Sequence, residues 1–338
     1  MPTLQDVARH AGVSTATVSK VLSNTPYFTE ETRLKVMQAV EELGYVPNLA
    51  ARALSRGKTQ IIAVVFPYIY DAIFTDPLVL RILEGIEAEA TQHGYNLLLS
   101  TPRLTADGPD AHYRRLVQSG YIDGVIALDN VPVASVIKPL RKKKVPHVVI
   151  GYHESAYSVC SDDYSGGRQL MEYILSLGHT RIGIITVPID MNYALNERVR
   201  GLQAVAAEHG IDMARMPTVY GDFSVVSGIR GAAELLELDQ GLTALICLND
   251  RMAMGAIQHI VQSGRRVPQD ISVAGYDDIP TAATFSPPLT TVNQHAPEQG
   301  QMAAQLLFAI LNHKTPTPVL LPVTLIPRSS AAAPRSLE

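Results

Sequence analysis

From Ile61 onward the chain alternates short apolar runs with amphipathic helical stretches, a pattern that admits few folds besides a parallel sheet with helices on its faces. Strand-like runs fall at 61–65, 95–99, 124–128 and 145–150, and a helical pattern spans 78–93 between the first two. The plan then repeats, with strands at 181–187, 244–248 and 271–275 and helices at 165–177, 197–209, 225–238 and 250–263. The repeat predicts two α/β lobes, each a doubly wound parallel sheet. A crevice between them would collect the strand ends, where such sheets face ligands.

The first 58 residues read differently. Thr3 stands before an apolar pattern at Leu4, Val7, Ala8 and Ala11, with Asp6 in capping-box position and Gly12 as a stop, which predicts a short helix. Ser14 is a good N-cap for a second helix over 15–22 that turns Val18, Val21 and Leu22 inward and leaves Thr15, Ala16 and Lys20 outward. Pro26 and Tyr27 break the chain, and Thr29 caps a third helix with Glu30 and Glu31 in its positive first turn. Its expected buried stripe is Leu34, Met37, Val40 and Leu43, ending at Gly44. Three short helices with a glycine-containing turn follow the helix-turn-helix plan, although Gly12-Val13-Ser14 alone would equally suit an ordinary helix corner.

Charge separates the two regions. Residues 1–58 hold Arg9, Lys20, Arg33, Lys35, Arg52, Arg56 and Lys58 against Asp6, Glu30, Glu31, Glu41 and Glu42, a surplus of two positive charges; with a chain total of −4, the remainder is −6. A basic N-terminal unit suits a polyanionic partner. The run Arg141-Lys142-Lys143-Lys144 closes a helical stretch, where cations complement the carboxyl-end dipole, and is read as a solvated helix end. Cys160 and Cys247 lack CxxC spacing and a histidine cluster, so buried free thiols are expected, with no metal and no cofactor. No apolar run reaches membrane-spanning length and the N-terminus is polar, which places the protein in the cytoplasm. GxxxxGK, GxGxxG, GxSxG and HExxH are absent, so an α/β enzyme with a helical appendage has little support.

Particular motifs carry a family resemblance. Thr3-Leu4-Gln5-Asp6-Val7-Ala8, Ala11-Gly12-Val13-Ser14, Thr17-Val18-Ser19-Lys20-Val21-Leu22 and Gly44-Tyr45-Val46-Pro47-Asn48 resemble the N-terminal signature of the lactose/galactose repressor (LacI/GalR) family. Asp162-Asp163, Leu177-Gly178-His179, Arg198-Val199-Arg200-Gly201, Asn249-Asp250-Arg251-Met252 and Gly275-Tyr276-Asp277-Asp278 extend it along essentially the whole chain. The resemblance implies an all-α helix-turn-helix domain over 1–46, a hinge over 47–58 and an effector-binding, periplasmic-binding-protein-like core over 59–338. Crossovers near Tyr157, Thr291 and Pro322 would divide that core into an N-lobe (about 60–158 and 293–322) and a C-lobe (about 159–292 and 323–338).

Function follows as an implication of the same resemblance: a repressor of transcription, not an enzyme, that binds double-stranded operator DNA as a homodimer under the control of a small effector. Thr15, Ala16 and Lys20 would face base edges, where lysine suits guanine O6 and N7 and the small apolar groups suit a thymine methyl. Thr3, Ser14, Thr17 and Ser19 would touch phosphates, with capping or packing equally open for Thr17 and Ser19. In the hinge, Asn48 would cap a short helix, small Ala51 would allow close approach of a partner helix beside Arg52, and Leu54 would wedge into the minor groove. The absence of leucine heptads near the C-terminus favours a dimer over a tetramer.

The same resemblance implies that Tyr70, Phe74, Asp76, Arg198, Phe223, Asn249 and Asp277 fall on the family's effector-contacting positions. Asp277 would accept hydroxyl protons, Arg198 and Asn249 would supply forked donors, and Phe74 or Phe223 a flat face. Asn249 as a helix cap, Phe223 as core and Asp277 as a turn cap remain open alternatives. The expected effector is a sugar; a purine or nucleoside is the second reading, and a sugar-binding or sugar-processing α/β protein a distant third.

Overall fold

A computed structural model of the chain describes residues 2–22, 28–46, 57–66, 73–105, 108–128, 136–152, 157–188 and 192–335. It divides into two compact units, 1–60 and 61–338. The hinge positions Asn48, Ala51, Arg52 and Leu54, and Tyr70, lie outside the described residues.

The first unit is α1 (Leu4–His10), α2 (Thr15–Leu22) and α3 (Glu30–Leu43). Thr3 and Asp6 form a reciprocal capping box on α1. The Ser14 hydroxyl accepts from the Thr17 amide at 3.1 Å to start α2. Gly44 ends α3 in the left-handed conformation (φ 59°) that a side chain would disfavour. The core is Val7, Ala8, Val18, Val21, Val36 and Ala39, all buried. The α3 stripe differs from expectation: Leu34 and Met37 are 63% and 46% exposed. The inward face is instead Val36, Ala39, Val40 and Leu43, because α3 is rotated so that small residues meet α1 and α2.

The second unit runs, in chain order, β1 (Ile61–Val65), α4 (Pro77–Gln92), β2 (Asn96–Ser100), the small hairpin β3 (Leu104–Thr105) and β4 (Gly108–Pro109), α5 (Ala111–Gln118), β5 (Gly124–Leu128), α6 (Ile137–Lys143), β6 (His147–Ile150) and β7 (Tyr157–Ser161). It continues with α7 (Asp163–Ser176), β8 (Ile182–Thr186), α8 (Tyr193–Glu208), β9 (Thr218–Tyr220), α9 (Val225–Leu238), β10 (Ala244–Cys247), α10 (Asp250–Gln262), β11 (Ser272–Ala274) and α11 (Pro280–Thr284). β12 (Thr291–Asn293), α12 (Ala296–Leu311), β13 (Val319–Leu321) and β14 (Thr324–Ile326) complete it.

Two parallel sheets result, ordered β13-β7-β6-β5-β1-β2 and β11-β10-β8-β9, the two doubly wound lobes that the strand–helix alternation implies. In β1 the side-chain alternation is buried on both sides: Ile62 and Val64 join the cluster with α4 and α12, while Ala63 and Val65 join that with α5 and α6. The first crossover comes a few residues later than the expected Tyr157 to Ser158 boundary. β7 pairs with β6 and β13 through Ser161, so the chain leaves the first sheet only at Asp162. The second crossing follows β12, and the third separates β13 from β14, which pairs antiparallel with β12. α12, packed against α4, and strands β9 and β13 lie outside the expected elements. The basic run ends α6, with Lys144 as its left-handed C-cap.

Three helix pairs cross through glycines. A Cβ on Gly167 of α7 would stand 2.1 Å from the Arg198 carbonyl oxygen of α8, and one on Gly201 of α8 would stand 2.1 Å from the Tyr164 carbonyl oxygen of α7. Gly228 with Gly255 (α9 and α10) and Gly85 with Gly300 (α4 and α12) make the same reciprocal contact. The backbone bearing Arg198 is therefore set by a missing side chain. Among the described residues no helix is long and apolar enough to cross a membrane, and no group of three His, Cys, Asp or Glu could hold a metal.

Gly167→Ala should cost about 3 kcal/mol by overpacking, read as a lower urea midpoint. An unchanged midpoint would show that α7 and α8 can separate without loss.

Candidate functional site

In the first unit, Ser14, Thr15, Ala16 and Lys20 are exposed along α2 and the turn before it, and Thr17 and Ser19 are half-buried beside them. Thr3 is exposed at the start of α1, where its hydroxyl donates to Asp6 at 2.6 Å. The Ser14 and Thr17 hydroxyls share a hydrogen bond of 2.9 Å, so both readings of Thr17, cap support and surface contact, are open to it geometrically.

In the second unit a cavity of about 550 Å³ opens where both sheets end, within the usual range for small-molecule sites. From the first sheet it receives Phe66, Leu128, Ile150 and Ser161, each at or just past the carboxyl end of a strand. From the second it receives Phe223 after β9, Asn249 after β10 and Asp277 after β11, while α8 contributes Arg198. The strand order reverses beside β1 and β8 in the two sheets, the switch-point arrangement at which such folds bind ligands.

Arg198 is the centre of this site, only 5% exposed. Its Nε donates to Asp163 Oδ1 at 2.8 Å and its Nη1 to the Leu248 carbonyl at 2.7 Å, with Asp277 Oδ1 at 3.5 Å. The guanidinium lies 3.7 Å above the centre of the Tyr276 ring. Asp277 accepts from the Gln294 side-chain amide and its own amide donates to the Val292 carbonyl at 2.9 Å, which hold it at a positive φ of 119°.

Burial pushes Asp277 well above the usual carboxylate range, with Arg198 opposing. Burial raises Asp163 as well, against the pull of the same guanidinium. Burial and the nearby Asp163 carboxylate raise the Tyr276 phenol. For Arg198 itself, burial would lower the pKa, but Asp163 overrides it and keeps the cation charged. Behind this group Asp250, fully buried, is pushed up to about 7 by its burial, although the Thr291 hydroxyl and the Ile279 amide donate to it.

Asn249 realises two readings at once. Its Oδ1 caps α10 by accepting from the Met252 amide at 2.9 Å, its Nδ2 donates to the Phe223 carbonyl at 3.1 Å, and its side chain still forms cavity wall. That second bond pins Phe223 at a φ of 67°, a conformation costly for a bulky residue, with its side chain partly packed on the core. Asp76 caps α4 through the Leu78 amide at 3.0 Å and also meets Arg251 of α10 at 3.3 Å, an ion pair between the lobes. Tyr152 and Tyr193, one from each lobe, stack at 4.2 Å on the cavity rim.

Phe74 does not join the site. It is 62% exposed on a short 3₁₀ turn (Ile73–Thr75) that precedes the Asp76 cap, and the wall there is Leu78, Val79 and Ile82 on the first turns of α4. Cys247 is buried as expected, but Cys160 is half-buried and lines the cavity. Asp163, Tyr276 and Gln294 were not among the expected site residues. The Asp-Asp pair at 162–163 and the Gly275-Tyr276-Asp277-Asp278 motif were the available signals, whereas nothing local marks Gln294.

Residues 3–48 match the bacterial regulatory proteins of the lacI family and residues 171–331 a periplasmic binding protein-like domain. The chain is 33% identical over 328 residues to the HTH-type transcriptional regulator CelR of Thermobifida fusca, covering 95% of each. It is 31% identical over 318 residues to the HTH-type transcriptional repressor PurR of Aliivibrio salmonicida, covering 93% of each. The solved Lac repressor dimer bound to operator and the anti-inducer ONPF is similar at a TM-score of 0.84 and 28% identity, covering 98% of this chain and 99% of that one. A CelR–cellobiose complex is similar at 0.73 and 31%, covering 98% and 100%. Fold, cleft and likeness together define a helix-turn-helix transcription regulator with an effector-binding core, not an enzyme. The chain belongs to the LacI family.

Arg198→Met leaves Asp163 and Asp277 buried without their cation and should cost about 3 kcal/mol or more near neutral pH. Because both carboxyls have raised pKa values, the folded state favours their protonated forms, a preference whose stabilisation is present at low pH and lost as pH rises. Arg198 pulls both pKa values down in the parent, so its loss raises them further, and the variant's urea midpoint relative to the parent should recover as pH falls from neutral. A deficit that deepens with acid would refute this charge assignment.

Proposed function

We propose that the protein represses transcription as a homodimer whose operator affinity is set by a sugar bound in the cleft between the core lobes. The observation that carries the sugar reading is the lining: the acidic side chains Asp76, Asp163, Asp277, Glu197 and Asp222 outnumber the cations Arg198 and Arg251, with the amides of Asn192, Asn249, Gln294 and Gln299 beside them. A polyol brings many hydroxyl donors to such acceptors, and Phe223 offers the apolar face of a sugar ring a flat partner. The cellobiose complex of a relative at 31% identity supports the same class. Purine or nucleoside sensing is the second reading, favoured by the likeness to PurR; a nucleobase supplies fewer donors for this lining.

On DNA, two copies of α2 enter successive major grooves, with Lys20 on a guanine edge, Thr15 and Ala16 against neighbouring bases, and Thr3, Ser14, Thr17 and Ser19 on phosphates. Leu54 wedges into the minor groove from a hinge that Asn48 caps and in which small Ala51, beside Arg52, lets the partner's hinge approach closely. Effector and operator affect each other's affinity by the same factor, since the coupling is reciprocal.

Lys20→Ala should reduce discrimination between operator and mutated operator by about 1–3 kcal/mol in gel-shift titrations; full retention of sequence preference would remove it from base readout. Among neutral sugars and nucleobases, thermal stabilisation should come from a sugar and vanish in Asp277→Asn. Stabilisation by nucleobases alone would favour the second reading.

A further inference from the structure

We propose that the cleft accepts an uncharged ligand and turns away phosphorylated or otherwise anionic counterparts of it; this rests on the effector-cleft reading above. Both cations that line the cavity among the described residues are already committed to carboxylates. Arg198 holds Asp163 and Asp277, and Arg251 holds Asp76 at 3.3 Å across the lobes. Neither lysine nor histidine is among the described lining residues. The segments 67–72, 129–135, 153–156 and 189–191, which adjoin lining residues in the chain, contain no lysine or arginine in sequence and one histidine, His153.

Helix N-termini, the other common cradle for a phosphate, already hold a side-chain acceptor at each helix that starts on the cavity wall. α4 is capped by Asp76, α8 by Asn192, α9 by Ser224 and α10 by Asn249, each accepting from a first-turn amide. All four caps line the cavity. A phosphate that used Arg251 would have to displace Asp76 from it, leaving a half-buried carboxylate beside a dianion. Like-charge juxtapositions of that kind cost several kcal/mol. A sugar's hydroxyls, in contrast, donate to these same oxygens without disturbing either ion pair.

The test is calorimetric titration of the full chain with matched pairs: glucose and glucose 6-phosphate, cellobiose and its 6-phosphate, ribose and ribose 5-phosphate, adenosine and its 5′-phosphate. Binding should be confined to a neutral member, with its phosphorylated counterpart weaker by about a hundredfold or more. In Asp76→Asn, which retains a capping oxygen on α4 but removes the charge opposite Arg251, that gap should narrow by about tenfold. A phosphorylated member that binds as tightly as its neutral counterpart overturns the inference while leaving the sugar reading intact. Binding of adenosine alone does the reverse, and no binding by either set counts against both.

Discussion

The guanidinium of Arg198, buried at the meeting point of two sheets, is the element on which the cleft depends. A charge taken out of water is tolerated only when oxygens surround it, and here Asp163, the Leu248 carbonyl and Asp277 do so from three separate segments. Asp163 opens α7, Leu248 directly follows β10 and Asp277 follows β11, so one side chain ties the first helix of the C-lobe to the ends of two of its strands. Tyr276 below the cation completes the enclosure. The glycine contact that brings α7 against α8 sits at the same residue, since Gly167 lies against the Arg198 carbonyl.

From this centre hydrogen bonds run into the crossovers between lobes. Asp277 is held by Gln294, whose carbonyl accepts from Gln299 at 2.8 Å at the start of α12, in the other lobe. Asp250 receives Thr291 of β12, and Asp278 pairs with Arg328 at 2.7 Å and with Asn293 at 3.0 Å. The walls that a ligand would touch are thus bonded to the strands about which the lobes are joined. Asp76 with Arg251 and Tyr152 with Tyr193 add contacts at the rim, half-exposed and weaker than the buried cluster. A core arranged in this way has its least protected links between the lobes at the opening.

The N-terminal unit rests on another economy. Its core is six small or medium side chains, so caps carry much of the helix definition: the box at Thr3 and Asp6, the Ser14 hydroxyl, Thr29 and Gly44. Spending small residues inward leaves the outer face of α2 to Thr15, Ala16 and Lys20. It also leaves Leu34 and Met37 in solvent, a choice that apolar periodicity alone could not reveal, because Val36 and Ala39 satisfy the same spacing one register away.

Local chemistry decided much of this protein in advance. Strand runs bounded by helical stretches determine two parallel sheets, cap residues determine where the N-terminal helices begin, and the family resemblance of their motifs points to Arg198, Asn249 and Asp277. What tertiary structure alone decided are the partners. Phe74 is aromatic and near the correct loop, yet the Asp76 cap starts α4 after it and turns Leu78, Val79 and Ile82 to the cavity instead. Asp163, Tyr276 and Gln294 carry no local signal of their neighbours, since their contacts join residues of different elements far apart in the chain and arise only when helices and strands dock. A sequence pattern reports the period of burial along one element; which buried charge meets which is settled by the packing of several elements at once.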